Sequence, residues 1–334
     1  MIDLSLIWIV IIAIGVLIYV VLDGFDLGIG ILFPFIKGKE ERDVMMNTVA
    51  PVWDGNETWM VLGGAGLFAA FPLVYATVLS ALYIPIILMV VALIFRGVAF
   101  EFRFKATRTK YLWDQAFIWG SVLSSFFQGM ILGAYIQGIQ TTNGIYSGGV
   151  WDWLTPFSVF TGIGFVAMYA ALGCGWLILK TEADLQQAMY QLMPKLLIAL
   201  LIIFGAVSIY TPLTHPEIAQ RWFALPNLLY FSPVPVLVAL FSGLILRACR
   251  QQHDAKPFIY TLALVVLAFT GFIISLWPNI IPPSVSIWQA AAPESSLKFT
   301  LVGAVILIPV IIAYTFLSYW VFRDKVRIGD EGYH

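Results

Sequence analysis

The sequence predicts an all-α polytopic membrane protein, and its composition and hydropathy pattern carry that prediction. Sixty per cent of the 334 residues are hydrophobic, only 11% are charged, and the mean hydropathy is +0.90. A soluble domain carries about 25% charged residues, and its core could not hide this much apolar surface. The apolar residues also form long stretches separated by short charged or Pro- and Gly-rich segments. We therefore expect a single membrane domain over residues 1–334.

The first apolar stretch, Leu4 to Leu22, is long enough to span a hydrocarbon core of about 30 Å. Asp3 is its only early charge, so the stretch lacks the positive start of a cleaved signal peptide and is expected to remain as a helix. Eight more apolar stretches follow between charged or Pro/Gly-rich breaks. The predicted limits of the nine helices are 4–34, 50–72, 76–101, 115–138, 157–179, 195–213, 233–250, 257–277 and 299–322.

The distribution of cations predicts the orientation of these helices. With the amino terminus outside, all but two of the 18 Lys and Arg residues fall in inner loops or at the inner ends of helices. Only Arg221 and Lys298 fall outside, and this is a strong positive-inside bias. An odd number of spans then leaves the carboxyl terminus in the cytoplasm. No basic tract suggests binding to nucleic acid.

Four acidic residues lie in or at the head of the first two predicted helices. Asp23 and Asp26 are three residues apart and share one helix face, and Asp54 and Glu57 repeat this spacing. If the second helix begins near Val44, Asp54 lies about 15 Å below the inner surface, at the same depth as Asp23. A carboxylate in hydrocarbon costs roughly 2.5–3.5 kcal/mol, so such residues indicate a functional site by default.

Arg96 in the third predicted helix reaches the same level, with Glu101 beneath it. The first three helices are thus expected to gather acids and one guanidinium, as a proton route from the cytoplasm requires. A structural alternative stays open. Asp23 and Asp26 could cap a helix break at Gly24, Asp54 could cap the start of the second helix, and Arg96 could simply neutralise one acid.

Histidine and cysteine are too few and too scattered for a metal site in the predicted spans. His215 and His253 fall in loops and His334 is the last residue, while Cys174 and Cys249 have no neighbour at metal-ligand spacing. A haem held by two histidines or a histidine-bound copper is therefore not expected in the membrane core of this chain. Any redox metal is expected in another subunit, and this chain alone is expected to bind no cofactor.

Several motifs, in order and spacing, closely resemble subunit II of cytochrome bd-type quinol oxidases, and the short chain is similar to their cyanide-insensitive branch. The matching segments are Asp23-Gly-Phe-Asp-Leu-Gly28, Ala50-Pro-Val-Trp-Asp-Gly-Asn-Glu-Thr-Trp59, Leu67-Phe-Ala-Ala-Phe-Pro72 and Phe95-Arg-Gly-Val-Ala-Phe-Glu-Phe-Arg103. The resemblance implies two four-helix bundles plus one peripheral helix, in the bacterial cytoplasmic membrane.

The resemblance also implies a haem-bearing partner, subunit I, that carries two b haems and one d haem, oxidises quinol and reduces O2 to water. A single-helix small subunit and a bound quinone occur in some relatives, and no motif here identifies quinone-binding residues. By motif match, Asp54 lies on the proton path from the cytoplasm and Trp59 borders an oxygen tunnel between the subunits. Asp23, Asp26, Arg96 and Glu101 match positions with supporting roles in hydrogen bonding or proton relay.

This sequence departs from some relatives beside the Trp-Asp-Gly-Asn motif. Those relatives have His before the Trp and Gln after the Asn, where this chain has Val52 and Glu57. Glu57 is therefore an extra titratable group on the expected proton path. The sequence leaves two alternative functions open. One is a proton-coupled secondary transporter that uses the buried acids, and the other is a purely structural subunit that braces the haem-bearing chain during assembly.

Overall fold

The computed structural model of the chain describes residues 3–142, 144–214, 216–225 and 227–330. These residues form thirteen α-helices, one 3-10 turn and two short hairpins. The helices are α1 Leu4–Leu32, α2 Lys39–Asn47, α3 Trp53–Ala70, α4 Pro72–Arg103, α5 Lys110–Ile136, α6 Pro156–Lys180, α7 Ala183–Thr214, α8 Pro216–Phe223, α9 Asn227–Phe231, α10 Pro233–Arg250, α11 Lys256–Leu276, α12 Ile287–Ala290 and α13 Glu294–Val321. The hairpins pair β1 Thr141–Thr142 with β2 Ile145–Tyr146, and β3 Asn279–Ile281 with β4 Val285–Ser286.

A capping side chain sets the start of helix α1, and a proline-containing turn sets its end. The Asp3 carboxylate accepts hydrogen bonds from the backbone N–H groups of Ser5 and Leu6, at 3.0 and 3.2 Å, and so caps the first turn. The helix then runs without interruption to a 3-10 turn at Phe33–Phe35, which contains Pro34. Since α1 is continuous through Gly24, the structural alternative in which Asp23 and Asp26 cap a helix break there is wrong.

Eight helices within the described residues are long and apolar enough to cross a membrane. They correspond to eight of the nine predicted spans. The ninth, predicted at 50–72, is α3, which is 18 residues long and too polar to join the other eight because its first turns carry Asp54, Asn56 and Glu57. The multi-pass membrane architecture is confirmed, and the count of nine stays a prediction.

Four observed helices, α4, α5, α7 and α13, begin four or more residues earlier than predicted. Helix α4 starts at Pro72, because a proline is well tolerated in the first helical turn. It bends at Leu82, three residues before Pro85, whose ring disturbs the preceding turn. Helix α7 starts at Ala183, a dozen residues before the predicted limit, because its first three turns are polar. Hydropathy detects only the apolar part of a helix that continues out of the membrane.

The long helices pack into two groups. Helices α1, α3, α4 and α5 contact one another, α6, α7, α10 and α11 form the second group, and α1 and α5 join the two groups by packing on α6. Helix α13 lies to the side, against α3 and α1. Most of the buried apolar core lies where the two groups meet.

Close contact between the groups depends on glycine. A Cβ atom at Gly28 of α1 would lie 1.9 Å from the carbonyl oxygen of Tyr169, and one at Gly173 of α6 would lie 2.5 Å from the Gly28 carbonyl carbon. The two backbones therefore touch at this crossing, as small residues allow between membrane helices. This contact holds the acid-bearing half of α1 against the second group.

The residues after α13 form a short segment, here called the C-terminal strap (residues 322–330), along one end of the second helix group. The Val326 N–H donates to the Lys180 carbonyl at 2.8 Å, and Lys325 pairs with Asp254 at 2.7 Å. Arg327 pairs with Glu182 at 2.8 Å. The strap thus joins the loops before α7 and before α11, which both belong to the end predicted to face the cytoplasm.

Candidate functional site

Three helices of the first group bring polar side chains together inside the protein. We call this set the α1–α3–α4 cluster, and it consists of Asp23, Asp26, Asn56, Glu57 and Arg96. Helix α1 presents Asp23 and Asp26, which are 1% and 0% exposed, and α4 presents Arg96, which is 0% exposed. The i, i+3 spacing predicted from the sequence places both aspartates on the buried face of α1.

Arg96 joins two of the acids. Its Nη1 donates to Asp23 Oδ1 at 2.6 Å, and its Nη2 donates to Glu57 Oε1 of α3. The Glu57 side chain is 25% exposed, whereas Arg96 and Asp23 are buried. Glu57 therefore connects the buried Arg96–Asp23 pair to the surface of the chain.

A second branch of the cluster starts at Asp26. The Asn56 amide Nδ2 donates to Asp26 Oδ2 at 2.7 Å, and the Tyr319 hydroxyl of α13 donates to Asn56 Oδ1 at 2.9 Å. Asn56 is 1% exposed, so its amide has no access to bulk water as a substitute partner. The branch ties the peripheral helix α13 to the acids of α1.

The cluster has more acids than cations, and some of its buried polar atoms have no partner. Three carboxyl groups face one guanidinium, and among the described residues Asp23 Oδ2, Asp26 Oδ1 and Arg96 Nε are buried without a hydrogen-bond partner. A buried carboxylate oxygen without a partner is costly unless water or a proton reaches it. The arrangement is therefore suited to hold and exchange protons as well as to support the fold.

Asp54 does not belong to this cluster. It is exposed on the surface of the chain, in the first turn of α3, and its carboxylate has no ion pair or hydrogen bond among the described side chains. An acid in the first turn is favoured by the helix dipole. Glu57 follows one turn later on the same face, so Asp54 stands at the surface end of a series of acids that leads inward.

The predicted depth of Asp54 rested on a helix that starts near Val44, and that helix is not the one observed. Helix α2 ends at Asn47, a turn containing Pro51 follows, and α3 starts at Trp53. The residue before a proline disfavours helical geometry, which explains the interruption. Asp54 therefore belongs to the beginning of a helix and not to its middle.

Glu101 does not join the cluster, contrary to the expectation that it lies beneath Arg96. It is exposed and lies 3.9 Å from Lys105 on the same helix. Five residues after Arg96, its side chain is rotated by about 140° around α4 and faces away. Trp59 is buried inside the chain, with its Nε1 unpartnered among the described residues, and its place at an oxygen tunnel stays a prediction.

Sequence reasoning missed a buried hydrogen-bond chain between α1, α5 and α6. Gln128 of α5 donates to the Tyr19 hydroxyl at 2.8 Å and accepts from the Tyr169 hydroxyl at 2.7 Å. Tyr19 lies one turn before Asp23 on the same face of α1, so this chain approaches the α1–α3–α4 cluster from the other side. The signal was available, because Ser124, Ser125 and Gln128 are polar residues within an apolar span.

The sequence analysis also missed a second charged group, which we call the inner-end network, formed by Arg42, Asp43, Arg103, Lys110 and Asp114. Arg103 of α4 donates from Nε to Asp114 Oδ1 at 2.5 Å and from Nη1 to Asp43 Oδ1 at 2.6 Å. Lys110 donates to Asp43 Oδ2 at 3.0 Å. Arg42 donates to Asp114 Oδ2 at 3.4 Å and lies over the Phe33 ring.

No group of three or more His, Cys, Asp or Glu side chains is arranged to hold a metal ion within the part of the chain that the structure describes. His215 and His334 lie outside those residues. His253 lies in the loop before α11, 3.0 Å from the Lys256 amine.

Comparison with known proteins decides the family. The family model for cytochrome bd terminal oxidase subunit II matches residues 4–322 of this chain. The chain belongs to this family. The resemblance seen in the sequence motifs is therefore confirmed, and a self-sufficient secondary transporter is not the function.

Relatives and a solved structure agree over the whole length of this subunit II. It is 30% identical to cytochrome bd ubiquinol oxidase subunit 2 of Bacillus subtilis, over 96% of both chains. It is 28% identical to cytochrome bd-I ubiquinol oxidase subunit 2 of Escherichia coli, over 98% of this chain and 96% of the relative. A chain of the bd oxidase from Geobacillus thermodenitrificans has the same fold, with a TM-score of 0.76 at 18% identity, over 96% of this chain and 98% of that chain.

This cytochrome bd oxidase subunit II is thus a multi-pass membrane subunit of an oxidoreductase complex of respiratory electron transport. Membership in the family implies assembly with subunit I of that complex. The family match does not by itself assign a role to the acids of the α1–α3–α4 cluster.

Proposed function

We propose that this chain is the non-haem subunit of a quinol:oxygen oxidoreductase in the bacterial cytoplasmic membrane, and that it delivers cytoplasmic protons to the site of O2 reduction. In this proposal α3 is the ninth membrane helix, the amino terminus is outside and the carboxyl terminus is cytoplasmic. Helix α13 is the peripheral helix beside two four-helix bundles. Subunit I holds the two b haems and the d haem, oxidises quinol and releases its protons outside. The cation distribution supports this orientation.

One observation carries the proton-delivery role: the α1–α3–α4 cluster gathers three carboxyl groups, two buried and one 25% exposed, around one guanidinium, and two buried carboxylate oxygens have no partner among the described residues. A purely structural ion-pair site has little use for an excess of buried acid, because each unpaired carboxylate destabilises the fold. A proton route requires such an excess of acidic groups, because its members must gain and lose protons at a low cost in free energy. An excess of acid over base therefore favours transfer over bracing.

The order of exposure gives the route a direction. Asp54 is exposed, Glu57 is 25% exposed and Asp23 is 1% exposed. A proton taken up at Asp54 passes to Glu57, one turn away on α3, and Arg96 holds Glu57 and Asp23 in a fixed geometry. The route is drawn without Glu101, which faces away from the cluster.

The central experiment replaces Asp54 with Asn in the assembled complex. Asn has the same shape and no titratable proton, so haem content is expected to stay near normal while quinol-dependent O2 uptake falls by about tenfold or more. Glu101→Gln is the matched control, since it removes an exposed acid of the same chain outside the cluster. Its turnover is expected to stay within about twofold of wild type.

Unchanged turnover of Asp54→Asn in a complex with intact haem spectra would contradict the proton-delivery role. The remaining explanation would then be the structural one, in which the subunit braces the haem-bearing chain during assembly. Equal losses in Asp54→Asn and Glu101→Gln would also contradict it, because the effect would then follow total charge and not the cluster.

A further inference from the structure

A groove lies between α7 and α10 at the end of the second helix group that carries the C-terminal strap. It is an open depression of about 310 Å³, at the lower end of the range of about 300–1,000 Å³ typical of small-molecule sites. We call it the inner groove. The side chains that matter for its chemistry are Gln187, Gln191, Pro194, Leu246, Arg250 and Gln252.

The lining changes from polar to apolar along the helix axes. Gln187, Arg250 and Gln252 lie at the loop end of the groove, where Gln252 Nε2 donates to Gln187 Oε1 at 3.0 Å. Pro194 follows Gln187 by seven residues and Leu246 precedes Arg250 by four, so the apolar end lies about 6–10 Å deeper. An amphipathic molecule with a polar head and an apolar tail matches this gradient.

The charge at the polar end favours an anionic head. Arg250 is exposed, and it forms no ion pair or side-chain hydrogen bond among the described residues; the Gln191 amide likewise has no partner there. Arg247 adds a second exposed cation one turn away on α10. Asp254 lies behind Tyr190 of the groove wall, and it is neutralised by Lys325 at 2.7 Å. A neutral quinone ring would leave the Arg250 charge unmatched.

We infer that the inner groove binds the headgroup of an anionic phospholipid from the cytoplasmic leaflet. Arg250 pairs with the phosphate, the glutamine amides bond to the polar oxygens of the head, and the acyl chains lie along Pro194 and Leu246. Basic pockets between membrane helices on the cytoplasmic side commonly hold such lipids. The inference uses the proposed orientation, which puts this end of α7 and α10 at the inner surface, and it does not depend on proton delivery.

The test measures lipid binding to the assembled complex without turnover. The complex is purified in mild detergent and titrated with phosphatidylglycerol or phosphatidylcholine, and the bound lipid is counted by native mass spectrometry. Wild type is expected to prefer phosphatidylglycerol, and Arg250→Gln is expected to lower that affinity about fivefold. The control, Arg108→Gln, removes a cation of the loop before α5 that is also exposed and has no ion pair among the described residues, and it is expected to keep wild-type affinity.

A second variant, Gln191→Trp, fills the groove without a change of charge and is expected to displace the lipid as well. Equal binding of the two lipids by wild type would overturn the inference. So would an equal loss in Arg250→Gln and Arg108→Gln, or full retention in Gln191→Trp. Normal turnover in Asp54→Asn would instead overturn the proton route and leave the lipid result standing.

Discussion

Arg96 and Arg103 lie two turns apart on α4, and both are buried, at 0% and 1% exposure, yet their surroundings are opposite. Around Arg103, two aspartates meet three cations, and each of the four carboxylate oxygens has a partner. Around Arg96, three carboxyl groups meet one cation, and Asp23 Oδ2 and Asp26 Oδ1 have no partner among the described residues.

The difference separates a structural charge site from a proton-exchanging one. A fully satisfied buried network holds its helices in one arrangement, and removal of one partner leaves an uncompensated charge. The α1–α3–α4 cluster already contains uncompensated groups, so it must accept protons or water to be stable. The inner-end network is thus expected to control assembly, and the α1–α3–α4 cluster is expected to control turnover.

The largest effect is expected at Arg103. Arg103→Gln leaves Asp43 and Asp114 short of their shared cation, at a cost of about 3–5 kcal/mol. Little haem-bearing complex should then accumulate in the membrane, and what remains should unfold at a lower temperature. Arg108→Gln, in the adjacent loop, controls for charge. A normal yield of complex with an unchanged unfolding temperature would contradict the structural role of the inner-end network, because the network would then not support assembly.

The next largest effect is expected at Glu57. Glu57→Gln keeps an oxygen acceptor for Arg96 and removes the proton-exchanging carboxyl, so assembly should be near normal while O2 uptake per haem falls about tenfold or more. If Asp54 and Glu57 act in series, the double variant Asp54→Asn/Glu57→Gln should be no slower than the slower single variant. Multiplied losses in the double variant would place the two acids on separate routes.

A smaller effect is expected where α13 meets the cluster. Tyr319→Phe removes the hydrogen bond to Asn56 and should cost about 1 kcal/mol of stability, with turnover changed less than about threefold. Tyr314→Phe, an exposed tyrosine on the same helix, is the control. A loss in Tyr319→Phe as large as that in Glu57→Gln, measured as O2 uptake, would show that the Asp26 branch carries protons.

The smallest effect is expected at the surface, where the C-terminal strap meets Asp254. Partial burial opposes ionisation, but the hydrogen bond and charge of Lys325, together with the hydrogen bonds from Tyr190 and Gln186, outweigh it and lower the pKa of the Asp254 carboxyl below its ordinary value. The contact is therefore complete above about pH 4 and is lost as the pH falls through the lowered pKa. A solvated pair of this kind contributes little.

Hydrogen exchange of the Val326 amide measures this contact. At pH 7, Asp254→Asn should reduce its protection by less than about fivefold relative to wild type. The two proteins should become equal at a pH well below the lowered pKa of Asp254, where the wild-type carboxyl is protonated. A difference that persists at acidic pH would show that the effect of the substitution is not electrostatic.

Much of the architecture was predictable because hydropathy and the residues that begin or end helices can be read from short segments of the sequence. Helix α10 was predicted at 233–250 and is observed at Pro233–Arg250, since a proline begins it and arginines end its apolar run. The faces of Asp23 and Asp26 followed from their spacing. Helix geometry also predicts that Glu101 points away from Arg96. The prediction that placed it beneath Arg96 used only its position along the helix axis and not its angle around it.

The inner-end network was not predictable in the same way. Asp43 and Asp114 lie in polar segments, where an acid is ordinary and gives no signal. They become half-buried and buried only because α2 and the start of α5 fold against Arg103. The break before α3 had a local signal in Pro51, and the apolar residues around it hid that signal.

The sequence alone is enough to predict a multi-pass membrane subunit with acidic residues at positions where insertion into the membrane costs free energy. This is so because the insertion cost of a residue depends on that residue and its near neighbours. Only the tertiary structure decided which carboxyl groups are paired, which remain without a partner and which reach the surface. Those outcomes depend on how α1, α3, α4 and α13 are rotated and shifted against one another, and no single segment contains that information.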